Sequence, residues 1–208
     1  MADPKQERAV KTRKVILHAA AEVFDQWGYS GASISKIMAR AGVTQGAMYF
    51  HFKSKQELAQ AVMASQQEFV EFPPGEFGLQ RMIDLTFYLA HELQTNVLVR
   101  ASVRLAVEQG EFGVRDDTVY QEWADQLLLY LRSARERGEL LPEVDEQEFA
   151  QMLVGAYGGT QLHSHISTNR ADLPQRVASL WRYLLPGLAP EHVRSHLRIE
   201  PLPNGVAA

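Results

Sequence analysis

The chain has 208 residues, 46% of them hydrophobic, and a formal net charge of −4. That length allows one or two domains with a sizeable core. It has no cysteine, which excludes disulfides and thiolate metal sites, and no apolar run of about 18 residues that would span a membrane.

The charge is unevenly placed. Residues 1–55 hold nine Lys/Arg against four acids, and residues 56–208 hold twelve Arg against twenty-one acids. A basic head on an acidic body points to a polyanion partner at the head; the plainer reading is an ordinary solvated face. The N-terminus MADPKQERAVKTRK lacks an apolar signal core, so a cytoplasmic protein is expected.

Residues 6–27 read as one helix, because Ile16, Leu17, Ala20, Phe24 and Trp27 recur at spacings of three and four. Lys11, Arg13 and Lys14 near its start oppose the helix dipole, and phosphates crossing that end are one reason to keep them. Gly28 is expected to stop the helix. Ser33 is a good N-cap for a second helix with Ile34, Ile37 and Met38 turned inward, and Gly42 ends it in a left-handed turn. Thr44 caps a third helix that begins Gln45-Gly46-Ala47. Ser54 to Glu57 is a capping box and opens a fourth, with Leu58, Ala61, Val62, Ser65 and Phe69 on its inner face.

Pro73-Pro74-Gly75 breaks that helix. Helical spacing continues over 79–94, 97–109, 117–137, 145–166 and 174–185, with a short helix expected in 190–198 and a disordered tail after it. No period-2 strand with hairpin turns is present. The expected fold class is all-α: an N-terminal helix-turn-helix head (1–55), an α-helical body (56–198), and a tail (199–208).

A recognition helix needs a small, polar first turn so that its backbone approaches the base edges. Thr44, Gln45, Gly46 and Ala47 meet that need. Gln45 can pair bidentately with adenine, and Ala47 or the Thr44 methyl can meet a thymine methyl. Lys11, Tyr49, His51, Lys53 and Lys55 can hold phosphates around it, and Ser33 places backbone N–H groups at another helix start. The bland alternative is a small helical hairpin with a solvated polar surface.

The residues Ala19-Ala20-Ala21-Glu22-Val23-Phe24, Gly28-Tyr29, Ser33-Ile34, Ala41-Gly42-Val43-Thr44, Gly46-Ala47-Met48-Tyr49-Phe50-His51-Phe52, Lys55 and Glu57-Leu58 closely resemble the DNA-binding domain of the TetR family of repressors, over about residues 8–60. The resemblance implies a three-helix helix-turn-helix DNA-binding domain (1–55) and an α-helical ligand-binding and dimerisation domain (56–198), in a homodimer that binds a palindromic operator in double-stranded DNA and leaves it when a small-molecule inducer enters the body.

The chain also resembles the γ-butyrolactone-type autoregulator receptors of Streptomyces. Those matches are Ser54-Lys55-Gln56-Glu57-Leu58, Gln66, Asn96-Val97, Arg100-Ala101, Val103-Arg104-Leu105, Trp123, Gly138 to Pro142 and Leu185-Pro186. It implies release by a butyrolactone, butenolide or furan. Pseudo-receptors that answer to an antibiotic or to no ligand share the same head. Gln45 departs from the lysine usual in that subfamily, which would move base preference from guanine toward adenine or weaken the contact.

The resemblance makes Trp123 a ligand-pocket tryptophan and Gln66 a ligand contact. Read from the residues alone, they are a core tryptophan and a surface glutamine. Thr160 sits among Gly155, Gly158 and Gly159 and is a further candidate hydroxyl; Tyr88, His91, Gln126 and Tyr157 are weaker ones. His163 and His165 stand about 200° apart on a helix and do not converge on one metal ion. With no GxSxG, P-loop or HExxH motif, neither an enzyme nor a cofactor is expected. An α-helical small-molecule carrier or enzyme with a purely structural basic head is the reading from another class.

Overall fold

The computed structural model describes residues 4–65 and 75–201, and every regular element among them is helical. The elements are α1 Pro4–Gly31, α2 Ile34–Ala41, α3 Gln45–His51, α4 Lys55–Ala64, α5 Leu79–Thr95, α6 Val97–Glu108, α7 Thr118–Glu136, α8 Glu146–Thr168, α9 Leu173–Leu184 and α10 Glu191–Arg194. Single 3₁₀ turns follow α6 (Gln109–Phe112) and α9 (Leu185–Gly187). Phe69, Gln66, the Pro73-Pro74 break and residues 202–208 of the tail lie outside the described residues.

The chain divides into two compact units: Met1–Glu71 with Thr95–Asp116, and Phe72–Gln94 with Asp117–Ala208. In the first, Ile16, Ala20 and Phe24 of α1, Ile37 of α2, Met48 of α3, Phe52, and Leu58 and Val62 of α4 form one core. Fully burying each large apolar side chain contributes about 1.5–3 kcal/mol. α6 belongs to this same unit, with Leu98, Ala101 and Leu105 in that core. The units are therefore not cut at residue 55, where the sequence suggested a domain boundary. An apolar stripe on α6 is visible in the sequence, but only packing shows that it faces α1.

The caps explain where the short helices start. Ser33 Oγ accepts the Lys36 N–H at 3.3 Å, Thr44 Oγ1 the Ala47 N–H at 3.3 Å, and Ser54 Oγ the Glu57 N–H at 3.0 Å. Glu57 reaches back to the N–H of Lys53 at 2.6 Å, one residue before the N-cap. Gly42 takes φ 64°, ψ 33° and donates to Met38 O, a conformation that needs no Cβ. Gly28 breaks α1 at φ 68°, ψ −179°, and helical hydrogen bonding resumes after it as far as Gly31. Trp27, expected inside, is 38% exposed at the end of the long helix, and Lys36 Nζ stands 4.9 Å from the centre of its ring.

In the second unit, Thr86 of α5 ties two other helices together. Its hydroxyl accepts the indole N–H of the fully buried Trp181 (α9) at 2.8 Å, and its carbonyl accepts the Tyr157 hydroxyl (α8) at 3.1 Å. Val177 and Leu185 beside Trp181, Leu127 and Leu131 of α7, and Leu153 of α8 are buried in the same unit. The segment after α10 is pinned to α5: Gln80 Oε1 accepts the Arg198 N–H at 2.8 Å and Asp84 pairs with Arg198 at 3.0 Å.

Candidate nucleic-acid interface and ligand-responsive domain

α2, the Gly42 turn and α3 form the helix-turn-helix. Met48 points into the core, so helical geometry turns the opposite side of α3 to solvent. Thr44, Gln45, Gly46 and Tyr49 are exposed on that side, and Ala47 is partly so. Nothing lies within 4 Å of where a Cβ on Gly46 would stand, so the first turn is open to close approach. With Thr44 Oγ1 committed to the Ala47 N–H, its methyl is left as the outward contact.

Phe50 was not singled out from the sequence, yet it is 72% exposed on α3, edge-on to His51 at 5.0 Å. The signal was there: Met48 and Phe52 both turn inward, which leaves the aromatic between them facing out.

The lysines are shared between fold and surface. Lys36 Nζ donates to Gly31 O at 2.8 Å and Lys53 Nζ to Tyr49 O at 2.9 Å, each at the C-terminal end of a helix, where a cation is favoured. Lys11 is exposed on α1, and Ser33 is half-buried at the start of α2.

Lys55, expected as a phosphate contact, also serves the fold. Its ammonium donates to Tyr29 O at 2.9 Å and Ala32 O at 3.1 Å and lies 4.1 Å from the centre of the Tyr29 ring. It caps the carbonyl end of α1 with two of its three N–H groups. Burial raises the pKa of the Tyr29 phenol.

The end of α1 is also held by α6. Glu108 accepts the Tyr29 N–H at 2.7 Å and pairs with Arg104 at 2.7 Å; Arg104 donates to Asp25 O at 2.7 Å, and Arg100 pairs with Asp25 at 2.9 Å. A Cβ on Gly28 would stand 2.6 Å from Arg104 and 2.8 Å from Glu108. Apart from the i,i+4 pair Arg104–Glu108, none of these contacts is local enough to be read from the sequence.

In the second unit, Trp123 is half-buried on α7 and is not a core tryptophan. Thr160 is half-buried on α8, and its hydroxyl donates to Ala156 O at 2.7 Å, leaving oxygen lone pairs as its remaining polar offer. Tyr88 is buried and Gln126 exposed. Desolvation raises the Tyr157 phenol pKa well above the ordinary range, although the residue as a whole keeps some exposed surface.

His163 and His165 go separate ways, to Arg176 and Arg170 at 3.0 Å each. Among the described residues, no group of His, Asp or Glu could hold a metal ion and no helix is long and apolar enough to cross a membrane.

The outer faces of α8 and α9 carry Ile166 at 75% and Tyr183 at 85% exposure, with Met152 and Leu162 also exposed. No atom lies within 4 Å of the Cβ positions of Gly155, Gly158 or Gly159. Where α8 meets α9, Asp172 accepts from Ser164 Oγ at 2.5 Å and Thr168 Oγ1 at 2.8 Å and pairs with Arg176 at 2.7 Å. The Ser164 and Thr168 hydrogen bonds, followed by Arg176, lower its pKa to about 2.

Residues 16–62 match the family of bacterial regulatory proteins named for tetR, and residues 77–190 match the tetracycline repressor-like C-terminal domain. The A-factor receptor protein of Streptomyces griseus is 41% identical over 196 residues, covering 94% of this chain and 70% of the relative. The structure of full-length native tylP, a tetR regulator from Streptomyces fradiae, superposes with a TM-score of 0.82 at 43% identity, covering 93% of each chain. That of a gamma-butyrolactone receptor described as ArpA-like superposes with a TM-score of 0.72 at 30% identity, covering 90% of this chain and 93% of the other.

Proposed function

The chain belongs to the tetR family of bacterial regulatory proteins, transcriptional regulators and not enzymes, and from that premise we propose that it is a ligand-responsive repressor. As a homodimer it holds a palindromic operator, and it lets go when a small signalling molecule of the γ-butyrolactone, butenolide or furan class binds its C-terminal domain. The observation that carries the DNA half of this reading is the first turn of α3. Thr44, Gln45 and Gly46 are exposed, Thr44 caps the turn, and the space about the Gly46 Cα is open.

Gln45 addresses a base edge, Gly46 and Ala47 allow the backbone to come close, and the Thr44 methyl and the Phe50 ring offer apolar contacts to thymine methyls. Tyr49, His51, Lys53, Lys11 and the Ser33 helix start hold phosphates. Lys55 acts one step removed, by fixing the end of α1 against the start of α4.

Dimerisation uses α8 and α9. Ile166, Tyr183, Met152 and Leu162 supply apolar area, and the glycines of α8 let a partner helix approach closely. The ligand site we assign is at Trp123 and Thr160, on the neighbouring helices α7 and α8. The signalling molecule releases the DNA because it binds the DNA-incompetent arrangement more tightly, and by no more than that difference in affinity. The likeness to an A-factor receptor and to a gamma-butyrolactone receptor supports the lactone class.

One experiment tests the whole reading. The purified protein selects duplexes from a random-sequence pool, and the recovered DNA is then challenged with synthetic γ-butyrolactones, butenolides and furans. Recovery of a palindrome that one of these releases supports the reading. A palindrome held against all three classes replaces the inducible repressor by a regulator of the pseudo-receptor kind, and recovery of no duplex overturns it.

A further inference from the structure

We propose that Glu139 and Phe77 form an anchor that passes a ligand-driven shift of α7 into the chain leading back to the DNA-binding unit, with Glu139 as a positioning residue for operator release. The inference rests on the ligand-release reading above and names residues that carry the signal.

The chain passes from the first unit to the second between α4 and α5. Residues 75–78, the described stretch just ahead of α5, belong to no regular element. With no helical ladder to hold them, they stand where other groups grip them. The grip comes from the C-terminal end of α7.

Glu139, just past α7, accepts the Leu79 N–H at 2.8 Å across 60 residues of sequence. It sits at the start of α5, where free N–H groups and the helix dipole favour a carboxylate. Gly78 has φ 146°, and a Cβ on it would stand 3.2 Å from the same carboxylate. A glycine there is what lets Glu139 come so close. The Phe77 ring meets the buried Tyr130 ring of α7 edge to face, centres 4.8 Å apart, and its carbonyl accepts from Ser133 Oγ at 3.3 Å.

Glu76 also pairs with Arg137 at 2.8 Å, but both side chains are exposed, and such a pair contributes little. The Glu139 bond is partly buried and charge-assisted, and the ring contact covers apolar area. These two dominate the anchor.

α7 also bears Trp123, the proposed ligand contact. Trp123 and Tyr130 are seven residues apart, which at about 100° per residue leaves them about 20° apart round the helix and about 10 Å apart along it. A ligand seated against Trp123 therefore loads the side of α7 that receives Phe77. The far end of α7 is stiff, because Arg135 donates to Leu141 O at 2.8 Å and pairs with Glu146 at 2.6 Å. A rigid helix gripped in this way is an element that can carry coupling between sites. Its movement reaches residues 75–78 and continues along the covalent chain towards α4.

The test uses the full chain, a duplex recovered by the wild type, and the synthetic γ-butyrolactone, butenolide or furan that releases it. Operator affinity is measured without ligand and at saturating ligand, and the ratio of the two is the coupling. Ligand affinity is measured by calorimetry with and without the duplex. The variants are Glu139→Ala, Glu139→Gln and Phe77→Ala. Arg198→Gln is the control, since it frees α5 from its other tether at Asp84 and leaves the anchor intact.

Glu139→Ala and Phe77→Ala are each expected to bind operator and ligand separately much as the wild type does, and to cut the coupling ratio by about fivefold or more. By reciprocity, the preference of the ligand for the DNA-free protein falls by the same factor, a change that loss of folded protein does not produce. Glu139→Gln keeps an acceptor oxygen and is expected to fall between. Arg198→Gln is expected to keep the wild-type ratio.

An unchanged ratio in Phe77→Ala or in a folded Glu139→Ala overturns the proposal. So does an equal loss in Arg198→Gln, because loosening α5 anywhere would then suffice. If Glu139→Ala does not fold, Phe77→Ala, at an exposed residue, decides alone. A wild type that none of the three ligand classes releases fails earlier, at the ligand reading itself, and takes the anchor with it.

Discussion

The Glu108 carboxylate accepts the backbone N–H of Tyr29 at 2.7 Å across 79 residues of sequence, and its other oxygen is paired with Arg104 at 2.7 Å. This joins α6 to the end of α1, one turn before the helix-turn-helix begins. Gly28 makes it possible, because its φ of 68° with ψ −179° and its missing Cβ bring Arg104 and Glu108 against the backbone. Gly28→Ala is expected to destabilise the protein by about 1–3 kcal/mol, and Glu108→Ala by a similar amount, since a partly buried N–H loses its acceptor. Glu108→Gln keeps an acceptor oxygen and is expected to fall between Glu108→Ala and the wild type. Denaturant midpoints of the three variants check the order.

Gln45 is the exposed side chain best placed to choose a base. Gln45→Lys is expected to move the selected base opposite it from adenine to guanine, with a discrimination of about 1–3 kcal/mol in the new direction. Parallel selections from one random-sequence pool with both proteins measure this. Identical consensus sequences would remove Gln45 from the reading surface.

Thr86 is the polar hinge of the second unit, through Trp181 and Tyr157. Thr86→Val preserves shape but leaves the buried indole N–H without its acceptor. The expected loss is about 1–3 kcal/mol. Thr86→Ser keeps the hydroxyl and is expected to lose less. Urea unfolding followed by tryptophan fluorescence separates the two.

The pKa of Asp172 is lowered from the ordinary 3.8 to about 2 by Ser164, Thr168 and Arg176. A depressed carboxylate contributes stability that is fully present above its unfolded-state value and is lost as pH falls through its folded-state value. The wild type is therefore expected to lose stability between about pH 4 and pH 2. Asp172→Asn is expected to be less stable at neutral pH and to have a flatter curve in that window, so that the two proteins converge in acid. Thermal melts across pH 2–7 read the difference. Parallel curves would assign the acid sensitivity to other carboxylates.

Ile166 stands at 75% exposure on the face of α8 that carries the glycines. Ile166→Glu sets two like charges near each other across a twofold contact, without touching the core of the protomer. The variant is expected to sediment as a monomer and to lose most of its operator affinity, since one half-site contributes alone. A variant that remains a dimer would place the interface elsewhere.

What the sequence determined is whatever depends on neighbours in the chain. Apolar spacing of three and four gives the helices, because 3.6 residues per turn bring those side chains to one face. Ser33, Thr44 and Ser54 cap because a hydroxyl at the N-cap meets an N–H three residues on. Gly42 turns because a left-handed residue is least costly as glycine. The exposure of the first turn of α3 follows from the same local rules and was legible, whereas that of Phe50 was not singled out.

What only the tertiary structure decided is where a stripe or a charge goes once distant segments meet. Lys55 has the composition of a phosphate contact, but the carbonyls of Tyr29 and Ala32, more than twenty residues back, claim its ammonium. Trp123 and Trp181 sit on similar apolar faces in the sequence. Trp123 is half-buried, whereas Trp181 is sealed and its indole N–H is received by Thr86. α6 reads as part of the body by its position in the chain, yet Leu98, Ala101 and Leu105 complete the core beneath the helix-turn-helix. Local geometry is set by backbone sterics and by hydrogen bonds within a turn, so it is written along the chain. The choice of partner is a competition among many similar apolar faces and charges, and packing decides it only once all of them are in place.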